Sequence, residues 1–141
     1  MTIRKIEILN DFLDITKALA DETRVRAFVA LKNGELCLCQ IVELLGLAQS
    51  TVSKHMSILK KARLVESRKE GKWVYFRLTE KRITPMIKST FSWVFSLLEH
   101  DTSTREMQKK IHKITAIDLK EICRKVNEKM GKIVCSQRQK H

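Results

Sequence analysis

Along most of the chain the apolar residues recur at every third or fourth position rather than at every second one, the pattern of helices packed on one face. Between residues 3 and 20 they fall on two stripes, Ile6, Leu9, Leu13 and Ala20 beside Ile8, Phe12, Ile15 and Leu19. A helix apolar over so much of its circumference needs cover on more than one side, and in a short chain the second cover is expected from another subunit. Asp21 suits the N-cap of a second helix carrying Val25, Phe28, Val29 and Leu31, with Asn33-Gly34 as its stop. A short third helix is predicted over about Leu38 to Leu45, with Ile41, Leu44 and Leu45 inward and Gly46 as the break. Only Gly46-Leu47-Ala48 separates it from a fourth helix that reaches about Ala62. A short helix, a three-residue turn containing glycine and a longer basic helix make a helix-turn-helix.

At 100° per residue, Val52, Met56 and Leu59 of the fourth helix share one side, and Ser50, Lys54, Ser57 and Lys61 the opposite one, with Ser53 and Lys60 beside them. A merely solvated face would interleave Glu with Lys, and this helix holds no acidic residue, which favours a face turned to a nucleic-acid groove. Leu64–Arg68 and Lys72–Leu78 then read as a two-stranded hairpin turning at Lys69-Glu70-Gly71, the second strand alternating Val74, Phe76, Leu78 against Trp73, Tyr75, Arg77. Its tip carries Arg68, Lys69 and Lys72, a basic wing able to reach phosphates or a minor groove. Thr84-Pro85 opens a further helix with Met86, Ile87, Phe91, Val94, Phe95 and Leu98 on an apolar face that Trp93 and Leu97 widen. This helix and the first are expected to form a dimer interface. Ser103 and Asp118 each head a capping box, predicting helices over about 104–116 and 119–130, the last ending at Gly131, with residues 132–141 frayed. The expected fold is therefore mainly α with a small two-stranded hairpin: a dimeric winged helix-turn-helix over 1–100, followed by a basic helical extension over 101–141.

Composition narrows the partners. With 141 residues, 43% of them hydrophobic, one Pro and four Gly, the chain can bury a single core of ordinary size. No run approaches the length of a membrane span and Met1–Lys5 lacks the pattern of a signal peptide, so a cytoplasmic protein with no membrane partner is expected. The net charge of +12 is unevenly placed: residues 49–82 carry 10 basic and 3 acidic groups and residues 101–141 carry 11 and 5, while residues 1–48 carry 6 and 7. Two basic blocks of this kind are the footprint of a surface that neutralises phosphates, with double-stranded DNA as the expected partner. There is no Gly-rich phosphate loop, nucleophile elbow or His-Glu metal motif, so no enzyme is expected.

The strings Glu35-Leu36-Cys37-Leu38-Cys39, Gln49-Ser50-Thr51-Val52-Ser53-Lys54-His55-Met56 and Arg68-Lys69-Glu70-Gly71-Lys72-Trp73-Val74-Tyr75 resemble those of the ArsR/SmtB family of metal-responsive repressors, over roughly residues 10–100. The resemblance implies a homodimer that binds a palindromic operator and lets go when metal binds. It places Gln49, Ser50, Thr51, Ser53, Lys54 and His55 on DNA, together with Lys69 and Lys72 of the wing. His55 lies near the core edge of the wheel, where a packed or phosphate-bonding histidine fits as well as a base reader. In the arsenic-sensing branch the string runs Glu-Leu-Cys-Val-Cys-Asp-Leu-Cys. Cys37 and Cys39 match it, and Val42 stands where the third cysteine would. The helix after the wing offers only Glu99 and His100, without the partner ligands of the zinc-sensing branches.

Cys37 and Cys39 are thus the candidate ligands of an inducer, As(III), Sb(III) or another thiophilic ion, with Cys123 and Cys135 as possible further ligands if the tail folds back; DNA binding itself requires no cofactor. Residues two apart in an ideal helix point about 200° away from each other, so both sulfurs reach one ion only where the first helical turn is absent or distorted. A helix N-terminus also favours the thiolate that soft ions select. The same two residues fit equally as small apolar core residues. The alternatives carried forward are a thiol redox switch and, in a different class, an architectural DNA-coating protein with no inducer.

Overall fold

Several helices begin where a short polar side chain takes up an orphan N–H. Asp21 accepts from the Arg24 N–H at 3.0 Å and Thr84 from the Ile87 N–H at 3.2 Å, with Pro85 in the first turn. The computed structural model describes residues 2–130, ordered α1 (Thr2–Ala18), α2 (Glu22–Ala30), β1 (Leu36–Cys37), α3 (Leu38–Leu45), α4 (Gln49–Lys61), β2 (Val65–Glu70), β3 (Trp73–Leu78), α5 (Pro85–Leu98), α6 (Thr102–Thr115) and α7 (Leu119–Met130). Gly46 closes α3 in the left-handed region at φ 67°, which lets the chain turn at once into α4. Cys135, the Gly131 stop and the expected fraying of 132–141 lie outside the described residues.

The sheet holds one strand more than the hairpin read from the sequence. Its order is β1-β3-β2, all antiparallel, with Leu36 opposite Phe76 and Cys37 opposite Tyr75. Two residues are too few to show a period, so β1 is defined only by its pairing with β3. The wing turn is also tighter than expected: Glu70 pairs with Trp73, leaving Gly71-Lys72 as a two-residue turn with Gly71 at φ 59°.

The core gathers Phe28, Leu31, Ile41, Leu44, Val52, Met56, Leu59 and Leu64, all almost fully buried, where α2, α3 and α4 meet. Phe28 stacks on Phe95 at 5.1 Å between centroids and meets Phe91 at a 45° tilt at 5.6 Å, which fixes α5 against α2. The same core includes Met107, Ile114, Ile122, Cys123 and Val126 of α6 and α7, which pack on α2 and α3. Each such side chain contributes about 1.5–3 kcal/mol on burial. The polar links from α6 are worth less, at most about 1.5 kcal/mol for the part-buried one and about 0.5 kcal/mol for the exposed one. Those links are Asn33 to Gln108 at 3.0 Å and Lys110 to the Leu44 carbonyl at 3.0 Å. Apolar burial therefore holds the extension in place, and the polar contacts set its register. Helix α6 starts at Asp101 rather than Ser103, because Asp101 accepts from the Thr104 N–H at 3.2 Å.

Candidate nucleic-acid interface and thiol corner

Helix α4 turns Val52, Met56 and Leu59 inward, which leaves Ser50, Thr51, Lys54, Ser57, Lys60 and Lys61 exposed and Gln49, Ser53 and His55 half-buried. Its N-cap is Ala48, whose methyl group accepts no hydrogen bond, so the first-turn N–H groups are open to solvent or to a phosphate. Sequence reasoning missed Ile58, which is 38% exposed. On the wheel it falls between Lys54 and Thr51, so an apolar residue inside the polar arc was the available signal.

His55 is held from behind. Its Nδ1 lies 3.2 Å from an Arg24 guanidinium nitrogen and 3.9 Å from the Asp21 carboxylate, and its side chain is 17% exposed. Arg24 also donates to the carbonyls of Ala18 at 2.9 Å and Lys17 at 3.2 Å, joining the end of α1 to α2 and α4. The Arg24 backbone N–H bonded to Asp21 leads the causes that hold that carboxyl below its usual range. His55 therefore sits in a structural joint rather than on the open face.

At the wing, Lys69 is exposed, and the Lys72 ammonium lies 4.9 Å from the Trp73 ring centroid. Arg68 is engaged instead. It donates to Glu35 at 2.8 and 2.6 Å and to Glu70 at 2.6 Å, and stacks on the Tyr75 ring at 4.4 Å. The hydrogen bond from Arg68 lowers the Glu35 pKa, and burial is the first cause that raises that of Tyr75. Lys60 donates to Ser67 at 2.7 Å, so α4 is linked to β2 as well.

Cys37 and Cys39 occupy the corner where β1 becomes α3, each 1% exposed. Cys37 is the N-cap, with an extended backbone at φ −73° and ψ 150°, and Cys39 lies in the first helical turn. The pair is thus freed from the opposed directions that a continuous helix would impose. The Gln40 side chain folds back and accepts the Cys37 N–H at 2.8 Å. The donor chemistry suits a soft ion held by two thiolates. Val42 is 1% exposed and offers no ligand atom. The extension does fold back, with α7 packed on α3, and Cys123 is buried there in a disulfide, so it offers no free thiolate to complete the pair. Among the described residues, no group of three or more His, Cys, Asp or Glu is placed to hold one ion. No described helix is long and apolar enough to cross a membrane.

Residues 21–67 match the family described as bacterial regulatory proteins, arsR family. Over 76 residues the chain is 41% identical to an uncharacterized helix-turn-helix transcriptional regulator of Methanocaldococcus jannaschii, covering 53% of this chain and 85% of that one. It is 35% identical over 82 residues to a cadmium resistance transcriptional regulatory protein CadC homolog of Staphylococcus aureus, covering 57% and 68%. It is 40% identical over 68 residues to the arsenical resistance operon repressor of Escherichia coli K12, covering 48% and 58%. Among solved structures, the homodimeric winged helix-turn-helix domain of a possible ArsR-family regulator from Mycobacterium bovis matches with a TM-score of 0.55 and 27% identity, covering 70% of this chain and 92% of that one.

Proposed function

Because this chain belongs to the ArsR family of bacterial regulatory proteins, which are DNA-binding transcriptional regulators and not enzymes, we propose that it is a homodimeric repressor induced by a thiophilic ion, arsenite or antimonite foremost. In this reading the two recognition helices α4 enter successive major grooves of a palindromic operator. Ser50, Thr51, Ser53 and Lys54 meet base edges and phosphates, Ile58 offers an apolar contact for a thymine methyl, and Lys69 and Lys72 hold the neighbouring backbone. Two exposed apolar faces support dimerisation through α1 and α5: Ile8 (51% exposed), Leu9 (56%) and Phe12 (51%) on one, Trp93 (61%) and Leu97 (64%) on the other.

One observation carries the induction mechanism: the corner that bears both thiols belongs at once to the wing sheet and to the first helix of the helix-turn-helix. Cys37 and Cys39 would hold such an ion through their thiolate sulfurs. The corner is closed by three devices, the Gln40 to Cys37 bond, the Cys37–Tyr75 strand pair and the Arg68–Glu35 ion pair. Opening it to bring the two thiols together strains the start of α3 and the root of the wing in one movement. Ser50 and Lys54 then leave register through α3, and Lys69 and Lys72 through β3. Release requires only that the DNA-free form hold the ion more tightly.

The test measures release of an operator selected from a random duplex pool, under reducing conditions, by As(III), Sb(III), Cd(II), Pb(II) and Zn(II). Cys37→Ser with Cys39→Ser is expected to bind DNA and to ignore the ion, while Cys123→Ser with Cys135→Ser responds like wild type. A response surviving in the first variant overturns the sensor. Release by peroxide and not by metalloids makes the pair a redox switch instead. Equal affinity for selected and random duplexes makes the protein an architectural one.

A further inference from the structure

The second basic block has no part in the helix-turn-helix or the wing, although residues 101–141 carry 11 basic and 5 acidic groups. Within it, α6 has a single acidic residue, Glu106. Its inward side is Met107, Ile111 and Ile114, and its opposite side is Arg105, Lys109, His112 and Lys113, all exposed. Arg105, Lys109 and Lys113 succeed one another at four-residue intervals, so their stems rise in one row about 6 Å apart. Among the described residues neither Lys109 nor Lys113 is in an ion pair. On α7, by contrast, Arg124 is neutralised locally by Glu121 and Glu128.

The position of this row is set by Lys110, which points the other way and donates to the Leu44 carbonyl at 3.0 Å. Leu44 lies in the last turn of α3, immediately before the Gly46–Ala48 turn that delivers the N-terminus of α4. Lys110 complements the negative end of the α3 dipole and thereby pins α6 to the end of α3 that leads into α4. The row carries the sign of charge that a phosphate backbone requires.

We propose that α6 is a second phosphate-binding element, in which Arg105, Lys109 and Lys113 grip the operator backbone next to the groove occupied by α4. The inference rests on the DNA-binding reading above and adds affinity without sequence information, because phosphates are the same at every site. It also gives the extension a purpose in binding that the helix-turn-helix core lacks by itself.

The experiment compares wild type, the triple variant Arg105→Gln, Lys109→Gln, Lys113→Gln, and the charge-conserving set Arg105→Lys, Lys109→Arg, Lys113→Arg. Affinity is measured against salt on a selected duplex and on a random one. The Gln variant is expected to flatten the slope of log K against log salt by up to about 2.7 per protomer, so that a fourfold rise in salt costs about 40-fold less affinity. Its ratio of selected to random affinity stays at the wild-type value, and the charge-conserving set behaves as wild type. An unchanged slope in the Gln variant, or an equal loss in the charge-conserving set, overturns the proposal. Failure of wild type to prefer the selected duplex sinks the operator reading instead, which is a separate readout.

Discussion

Replacing Gln40 by leucine tests whether the thiol corner is held shut by one buried hydrogen bond. Gln40 is 9% exposed and its Oε1 accepts the N–H of Cys37, a residue only 1% exposed, at 2.8 Å. Leucine keeps most of the volume and removes the Gln40 acceptor from a buried backbone N–H, at a cost of about 1–3 kcal/mol. The added apolar burial offsets part of this, so a net loss of about 1–2 kcal/mol is expected. For a chain of this size that lowers Tm by about 3–8 °C. Urea unfolding of Gln40→Leu is to be compared with Gln108→Leu, whose exposed bond to Asn33 is worth no more than about 0.5 kcal/mol. If opening the corner is the work that induction performs, the same 1–2 kcal/mol is already spent in the variant, and half-release moves to about 5–30-fold lower inducer. A variant as stable as wild type refutes the structural part. One that is destabilised but has an unchanged inducer midpoint refutes the mechanism.

Lys54→Gln should reduce the salt slope of DNA binding by about 0.9 per protomer with little change in Tm, read by fluorescence anisotropy. Glu35 is held below its ordinary 4.5 by Arg68, so its pairing stabilises the fold fully above that value and less as pH falls through the lowered one. Glu35→Gln should therefore flatten the decline of Tm with acid below about pH 5. Arg63 adopts φ 65° at the end of α4, and Arg63→Gly should raise stability by about 1 kcal/mol in urea unfolding. Leu97→Asp should convert the proposed dimer into a monomer by light scattering, and a dimer that persists would move the interface elsewhere.

The helix-turn-helix was legible because its signals are local: a 3.6-residue period, Gly46 at a left-handed stop and an α4 without acidic residues. The features that were not legible depend on partners distant in sequence. β1 exists only because Leu36 and Cys37 meet Phe76 and Tyr75, and nothing in two residues announces that. Arg68 reads as an open cation at a hairpin tip until Glu35 is brought against it. The wheel placed His55 at the core edge, but not the Arg24 that holds it there. At α6, two good caps stood two residues apart, and the Ser103 hydroxyl bonds to Asp101 rather than to the helix. The thiol pair was picked out by its resemblance to the arsenic-sensing string, whereas the strand-to-helix corner on which it sits emerged only with the third strand.

Arg24 has a consequence for the spacing of the operator. One guanidinium joins the last carbonyls of α1, on the proposed symmetry axis, to His55 in the middle of the recognition helix. Half-sites one turn apart lie about 34 Å from each other. Each base pair inserted between them shifts the second by about 3.4 Å and rotates it by about 34°. With α4 fastened to α1 by a planar fork as well as by packing, the proposed dimer would act as a rigid caliper. It would then select an operator by the distance between its halves as well as by the letters within them.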